Sequence, residues 1–319
     1  MKIGIVGATG EVGRTMIKVL EERGHDFDEF KLFSSERSAG TVLSFNSKTI
    51  KVEKLTEEAM KEGFDYLLFS AGKEISKKFA PIAASHGSTV IDNSSAFRMN
   101  PDIPLVVPEI NSNVLKGYHG IVANPNCSTI QLVLVLNPLH ILYKLKRIII
   151  TTMQAVSGSG RKGMNELDSE ITKNSDPTVY PKKIAFNCIP QIGPFCENGF
   201  SEEEMKMLNE TRKIMNCTCD VEATAVRVPV MYGHSESVYV EFERSFSLEE
   251  AKEILRNAPS VKVWEDYPTA LEVVGSDLSH VGRIRISYDG KALLFWNVAD
   301  NVRVGAATNA VKILEHFLK

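Results

Sequence analysis

Apolar and polar positions along the first hundred residues switch between two periods. Residues 2–6 are apolar and β-rich and run into a turn at 7–13, after which Val12, Met16, Val19 and Leu20 recur at helical spacing. The same reading predicts strands at 30–33, 66–69 and 89–91 and a helix over 73–85. Strands separated by helices at this rhythm predict βαβ units and a parallel sheet. A short strand at 121–123 ends at the loop Asn124-Pro125-Asn126-Cys127. Beyond Cys127 the pattern changes. Residues 128–136 predict an apolar helix, and 147–155 a nearly continuous apolar strand leading into Ser157-Gly158-Ser159-Gly160. Strands are predicted at 223–230, 237–243, 283–288 and 292–298, with few helices between them, which points to a mixed or antiparallel sheet packed on helices. The last helix carries Ala307, Ala310, Val311, Leu314, Phe317 and Leu318 on one face.

Composition narrows this picture. The 319 residues correspond to about two domains, and 43% hydrophobic with 24% charged residues excludes a disordered, collagenous or coiled-coil chain. A net charge of −3 leaves no basic footprint for nucleic acid or an anionic membrane. The apolar stretch 130–153 is interrupted by Gln131, Asn137, Pro138, His140, Lys144, Lys146 and Arg147, so it falls short of the roughly 18 apolar residues of a membrane span. Five cysteines, at 127, 188, 196, 217 and 219, are too few for a disulfide framework and lack metal-site spacing, which fits a reducing cytoplasm and no bound metal. The N-terminus lacks a signal-peptide pattern.

Gly7-Ala8-Thr9-Gly10-Glu11-Val12-Gly13 follows the first strand and opens the first helix. Glycines there permit a tight turn and bring a pyrophosphate close to backbone N–H groups at the helix N-terminus. A plain strand–helix turn with no ligand is the alternative. At the end of the second strand, Ser34-Ser35-Glu36-Arg37-Ser38 offers Arg37 and hydroxyls to a 2′-phosphate, which favours NADP(H). Glu36 dissents, because an acidic residue there suits the ribose hydroxyls of NAD.

Cys127 lies in a polar loop where the next helix begins, and a helix N-terminus favours a nucleophilic thiolate. A small buried cysteine of no chemical role is the competing reading. His234 follows Gly233 in the predicted turn between strands 223–230 and 237–243, where an imidazole can reach a cleft as general base. Arg227 sits inside Val226-Arg227-Val228-Pro229-Val230 and, if buried, requires an anion, either a substrate or a sheet-edge carboxylate.

With these residues in view the chain resembles the aspartate-β-semialdehyde dehydrogenases from end to end. The matching segments are GATGEVG (7–13), SSERSAG (34–40), NSSAFRM (93–99), VPEIN (107–111), NPNCST (124–129), QAVSGSG (154–160), RVPVMYGHSES (227–237) and DNVRVGAA (300–307). The resemblance implies an α/β fold: a Rossmann-type NADP-binding domain, residues 1–126 and 301–319, with an inserted α+β catalytic and dimerisation domain, residues 127–300, built on a mixed sheet. It implies reversible, NADPH-dependent conversion of L-aspartyl-4-phosphate to L-aspartate-4-semialdehyde and phosphate. That step serves biosynthesis of lysine (through diaminopimelate), threonine, methionine and isoleucine in the cytoplasm.

Position by position, the resemblance makes Cys127 the nucleophile, Gln154 the residue that orients substrate and His234 the acid/base. Arg227 would receive the α-carboxylate, Arg98 and Lys206 the phosphate, and Glu203 the α-amino group. Gly7, Thr9, Gly10, Glu11, Val12, Ser35, Arg37, Ser38, Ser157, Gly158 and Asn301 would line the cofactor site. It further implies a homodimer, or a homotetramer built as a dimer of dimers. Glu203 and Lys206 have a second reading, since Ser201 and Glu204 make a capping box and the pair could simply stabilise a helix start.

The chemistry is coherent on its own terms. A thiolate attacks an acyl phosphate at carbon, and the thioester so formed is easier to reduce than the acid itself. A rival is N-acetyl-γ-glutamyl-phosphate reductase, whose cysteine loop typically has a glycine before the cysteine where this chain has Asn126. A non-catalytic NADP-sensing protein is the rival from another class, and Cys127, Gln154 and His234 together argue against it. A cysteine hydrolase would have no use for the glycine turn.

Overall fold

A computed structural model describes all of residues 1–319. The chain divides into two compact units, Met1–Pro125 with Ala306–Lys319, and Asn126–Gly305.

The first unit contains β1 (Lys2–Val6), α1 (Glu11–Glu22), β2 (Glu29–Ser34), the hairpin of β3 (Val42–Phe45) and β4 (Lys48–Lys51), β5 (Glu53–Lys54), α2 (Glu57–Met60), β6 (Tyr66–Phe69), α3 (Lys73–Ser85), β7 (Thr89–Asp92), α4 (Pro108–Asn111) and β8 (Ile121–Ala123). Six strands form a parallel sheet in the order β5-β2-β1-β6-β7-β8. Strand order reverses at β1, with β2 on one side and β6 on the other, and this is where open α/β sheets bind ligands, beyond the strands' C-terminal ends. Side-chain alternation sends Ile3, Ile5, Leu32 and Leu68 to one face, packed on Met16 and Leu20 of α1. Val6, Phe33, Leu67 and Phe69 go to the other, packed on Phe79, Ala80 and Ala83 of α3. Each such side chain, taken fully from water, contributes about 1.5–3 kcal/mol.

The second unit contains α5 (Cys127–Tyr143), β9 (Leu145–Gln154), α6 (Gly160–Lys173), α7 (Glu202–Met215), β10 (Asp220–Arg227), β11 (His234–Phe242), α8 (Leu248–Arg256), β12 (Val261–Val263), α9 (Ala270–Val273), β13 (Ser279–Ile286) and β14 (Ala292–Ala299). Its sheet is mixed, ordered β10-β9-β11-β14-β13-β12, with α5 packed across it. The chain then returns to the first unit as α10 (Thr308–Phe317), whose Ala310, Val311 and Leu314 join the core beside α1.

Several boundaries differ from the sequence reading. α5 begins at Cys127 itself and continues through Pro138 to Tyr143, because Leu139 and Tyr143 remain buried and anchor the helix past the missing N–H. β10 runs from 220 to 227 rather than 223 to 230, and His234 is not in a turn but is the first residue of β11. Residues 301–305 fall in the second unit, held there by Asn301, which bonds Ser157 and Gly233, and by Arg303, whose Nε donates to Asp277 at 2.8 Å. Asn126 also belongs to the second unit, as the cap of α5.

Candidate active site

Strand register assembles the catalytic candidates. β9 and β10 run parallel, and their last residues, Gln154 and Arg227, are direct partners. β11 runs antiparallel to β9 with Ser235 opposite Met153, so its first residue, His234, reaches the same edge of the sheet. β14 ends there as well, with Ala299 opposite His234. Two residues on, Asn301 ties the surrounding loops together: its Oδ1 accepts from the Gly233 N–H at 2.9 Å, and its Nδ2 donates to Ser157 Oγ at 2.9 Å.

Cys127 is half-buried at the first position of α5, where the helix dipole favours negative charge. Asn126 caps the helix, its side chain accepting from the N–H groups of Ser128 and Thr129. Gln154 Nε2 donates to Ser128 Oγ at 2.8 Å, which holds the amide beside the cysteine's neighbour. Gly305 presses on Cys127 from the other side, since a Cβ there would lie 2.6 Å from the cysteine's own Cβ. The sequence reading used Asn126 only to set the chain apart from the rival reductase, not as a helix cap, and gave Gly305 no role. Of the remaining cysteines, Cys188 is exposed, Cys196 is half-buried in the loop before α7, and Cys217 and Cys219 stand with sulfurs 3.0 Å apart where α7 gives way to β10.

His234 is fully buried, and the Ala155 N–H donates to its Nδ1 at 3.0 Å, so the neutral ring carries its proton on Nε2. Burial first, and the Arg227 guanidinium second, push its pKa down to about 3. Nε2 has no partner within the protein. Arg227 is also buried; Nη1 donates to the Ala155 carbonyl at 2.6 Å, while Nε lacks an acceptor. A buried guanidinium with a spare donor is suited to an incoming carboxylate. Gly158 lets both groups approach, because a Cβ there would meet Arg227 at 3.0 Å and His234 at 3.4 Å.

Glu203 is buried next to the cap of α5. It accepts from Asn126 Nδ2 at 2.8 Å and from Lys206 Nζ at 3.0 Å. Burial would raise its pKa, but the Lys206 charge and the Asn126 bond outweigh that and hold it near 2, so it is an anion. The capping box of Ser201 and Glu204 is present alongside. The helix start and the anionic pair therefore coexist, with Lys206 half-exposed and Glu203 linked directly to the residue that caps Cys127's helix.

Beneath this edge lies a polar cluster that sequence patterning missed. Gln131 of α5 donates to the His234 carbonyl at 3.2 Å, and Asn297 Nδ2 donates to Glu236 at 2.8 Å. Glu236 is completely buried, and burial raises its pKa to about 8 against the bonds it accepts from Asn297 and Gln131. The folded state thus keeps one proton that an unfolded carboxyl loses near pH 4.5, so stability falls as pH rises from there to about 8. Urea unfolding at pH 5 and pH 8 should show Glu236→Gln gaining stability relative to wild type at the higher pH, at up to about 1.4 kcal/mol per pH unit in that window. Parallel curves for the two proteins would mean that Glu236 is ionised throughout.

In the first unit, the glycine turn sits at the C-terminal end of β1, where the strand order reverses. Gly7 has φ +87°, and a Cβ on it would lie 2.4 Å from the Ser70 carbonyl oxygen; a Cβ on Gly13 would lie 2.3 Å from the Gly7 oxygen. No side chain caps α1, whose N-cap is Gly10, and Thr9, Glu11 and Val12 flank that opening half-exposed. An uncapped helix start behind a glycine turn fits a pyrophosphate. Beyond β2, Ser35 and Arg37 are exposed and Ser38 half-exposed. Lys54, opposite Ser34 in the sheet, pairs with Glu36 at 2.9 Å, so the dissenting carboxylate already has a cation and the loop's remaining charge is Arg37. Arg98 is buried in the same unit and donates to the carbonyls of Asn124 and Asn93 at 2.9 and 2.8 Å, at the ends of β8 and β7.

Residues 2–118 match the family model "semialdehyde dehydrogenase, NAD binding domain", and residues 136–304 match "semialdehyde dehydrogenase, dimerisation domain". An aspartate-semialdehyde dehydrogenase of Aquifex aeolicus is 49% identical over 333 aligned positions, covering 100% of this chain and 98% of that protein. The crystal structure of aspartate semialdehyde dehydrogenase II from Vibrio cholerae complexed with ASA superposes with a TM-score of 0.97 at 44% identity, covering 99% and 98% of the two chains. A Candida albicans aspartate semialdehyde dehydrogenase solved with NADP gives 0.77 at 26% identity, over 99% and 98%. No helix is long and apolar enough to cross a membrane. Matched along its whole length, by the dinucleotide-binding half as well as the dimerisation half, the chain belongs to the aspartate-semialdehyde dehydrogenases, a family of NAD(P)-dependent oxidoreductases.

Proposed function

We propose that this chain converts L-aspartyl-4-phosphate and NADPH reversibly to L-aspartate-4-semialdehyde, phosphate and NADP⁺ through a thioester on Cys127, in the cytoplasm, as a homodimer. The observation that carries the reading is the convergence on one sheet edge of Gln154, Arg227 and His234, with Gln154 bonded to the residue after a helix-start cysteine. The first unit binds the dinucleotide, through Gly7, Thr9, Gly10, Glu11, Val12, Ser35, Arg37 and Ser38. The second binds the amino-acid substrate, with Ser157, Gly158 and Asn301 serving the cofactor from their own loops.

Arg227 takes the α-carboxylate with its spare donors, and the Glu203 anion takes the α-ammonium. Lys206, and Arg98 in the first unit, are assigned to the phosphate. The Cys127 thiolate attacks the acyl carbon; phosphate leaves with the bonding pair, and a thioester remains on sulfur. Bound NADPH supplies the hydride that reduces it. His234 shares its Nε2–H with the oxygen that becomes negative and recovers it fully when the thiohemiacetal collapses, so the ring starts and ends neutral. Collapse of the thiohemiacetal releases the aldehyde and returns the Cys127 thiolate. A free substrate amine suits Glu203, whereas the acylated amine of an N-acetyl-γ-glutamyl phosphate has no charge for it, so the rival reductase is disfavoured.

The test is phosphate-dependent reduction of NADP⁺ with aspartate semialdehyde, run beside glyceraldehyde-3-phosphate and N-acetylglutamate semialdehyde. Turnover confined to aspartate semialdehyde is expected; preference for the acetylated aldehyde would reassign the enzyme. Cofactor choice gives a further prediction. A charge-assisted contact between Arg37 and the 2′-phosphate is worth about 1.5–3 kcal/mol, or roughly 10- to 150-fold in kcat/KM for NADPH over NADH. Arg37→Ala should remove most of that ratio by weakening NADPH alone. Loss of NADH activity on Glu36→Gln would instead identify Glu36 as the ribose ligand.

A further inference from the structure

Between α6 and α7 the chain runs from 174 to 201 with no helix or strand. A connection of that length in a compact unit is uncommon and is generally functional. Two carboxylates on the buried face of α6 hold it down. Glu166, 5% exposed, accepts from the Thr178 N–H and hydroxyl, both at 2.6 Å, and from the N–H groups of Val179 and Tyr180. One turn later Glu170 accepts from the N–H groups of Ile184 and Ala185 at 2.8 and 2.7 Å. The loop then meets Arg227 twice. Ile189 exchanges both backbone hydrogen bonds with it, at 2.9 and 2.8 Å. The Tyr180 ring lies beneath its guanidinium, with the central carbon 5.8 Å from the ring centroid. Gly163 of α6 makes room for that ring, since a Cβ there would lie 2.4 Å from the Tyr180 hydroxyl. Tyr180, Gln191, Gly193 and Arg227 line one cavity of about 410 Å³.

We propose that Tyr180 is a positioning residue for Arg227, carried to it by a loop that Glu166 pins to α6, and that it thereby sets the affinity of the site for the substrate carboxylate. The inference rests on the proposed role of Arg227. An arginine side chain has four rotatable bonds, and here only Nη1 is fixed, by the Ala155 carbonyl. The aromatic face restricts the guanidinium plane from one side and supplies cation–π attraction, leaving the edge that carries Nε for the ligand. Glu166 acts at one remove: its four accepted bonds fix the backbone of 178–180, and hence where the ring stands.

The experiment is steady-state kinetics on the full-length enzyme with aspartate semialdehyde as varied substrate and phosphate and NADP⁺ saturating, with thermal melting of each variant. Tyr180→Leu should raise KM for aspartate semialdehyde by about 2- to 25-fold, the range of a cation–π contact at 1.4 kcal/mol per decade, with kcat and the KM for NADP⁺ changed by less than about twofold. Tyr180→Phe, which keeps the ring and loses the hydroxyl's contacts to Ser159 and, at 3.4 Å, to the Val156 carbonyl, should restore KM. Glu166→Gln should move KM in the same direction as Tyr180→Leu, and it serves if the leucine variant does not fold. Arg227→Ala is the control that separates the two readings. If it raises KM steeply while Tyr180→Leu and Glu166→Gln do not, the Tyr180 inference is overturned and the role of Arg227 stands. If Arg227→Ala leaves KM unchanged, the carboxylate assignment falls and takes this inference with it. A Tyr180→Leu variant that lowers kcat and melting temperature without moving KM would also overturn it, as a purely structural effect.

Discussion

Cys127→Ala abolishes turnover in both directions while NADPH binding stays within a few-fold of wild type. The loss is total because the thiol forms and breaks the covalent bond through which the acyl group passes, and no neighbouring group can replace it. Ser128, the next residue, is buried and already accepts from Gln154. None of the cofactor-binding candidates, Gly7–Val12, Ser35, Arg37, Ser38, Ser157, Gly158 and Asn301, is altered by the substitution, so binding measured by fluorescence titration should change little. The deletion is sterically mild, since it removes a sulfur atom from a half-buried position and leaves the Cβ that packs against Gly305. A melting temperature close to wild type is therefore expected, and a collapsed one would mean that lost activity reports lost structure.

His234→Asn lowers kcat by about 10²–10⁴, the usual contribution of a positioned acid/base, which is roughly 3–5 kcal/mol of barrier. Asparagine places its amide near the position of Nδ1, short of Nε2, and cannot take up a proton, so the substitution removes the Nε2 donor while keeping a polar side chain at the site. The pH dependence carries the sign of the buried ring. In the folded protein the histidine titrates near 3, so in kcat/KM, which reports the free enzyme, it contributes no inflection near 6.5. Stability behaves differently. Between about 3 and 6.5 the unfolded chain takes up a proton that the folded one refuses, so wild type loses stability as pH falls through this window and His234→Asn does not. A variant with near-normal kcat would make the histidine structural and move the proton shuttle elsewhere.

What could be read from the residues follows from where the information lies. β1 and α3 have the bounds expected, because strict apolar periodicity against a two-faced sheet leaves no other arrangement. Helix α6 was invisible to that reading because its buried face carries Glu166 and Glu170, whose partners are N–H groups of a distant loop. Glu236 was unreadable for the same reason, as its partners Asn297 and Gln131 come from other elements. β10 was placed three residues late because Val228-Pro229-Val230 is apolar enough to continue a strand. The ladder nevertheless stops at Arg227, just before Pro229, which has no N–H to donate, and that stop leaves the guanidinium at the sheet edge. The candidates Cys127, His234 and Arg227 were legible as polar or reactive residues at the ends of apolar segments. Their register across β9, β10 and β11, the cap by Asn126 and the approach of Gly305 are tertiary facts that no local pattern encodes.

Trapping the acyl group tests the central claim most directly. Enzyme incubated with aspartate semialdehyde and NADP⁺ in the absence of phosphate should accumulate the thioester, because hydride leaves the thiohemiacetal but no phosphate is present to accept the acyl group. Peptide mass mapping under mildly acidic conditions should then find an aspartyl adduct on Cys127 alone, discharged on adding phosphate and absent from Cys127→Ala. An adduct on Cys188, Cys196, Cys217 or Cys219, or full phosphate-dependent turnover with no adduct on Cys127, would contradict the account.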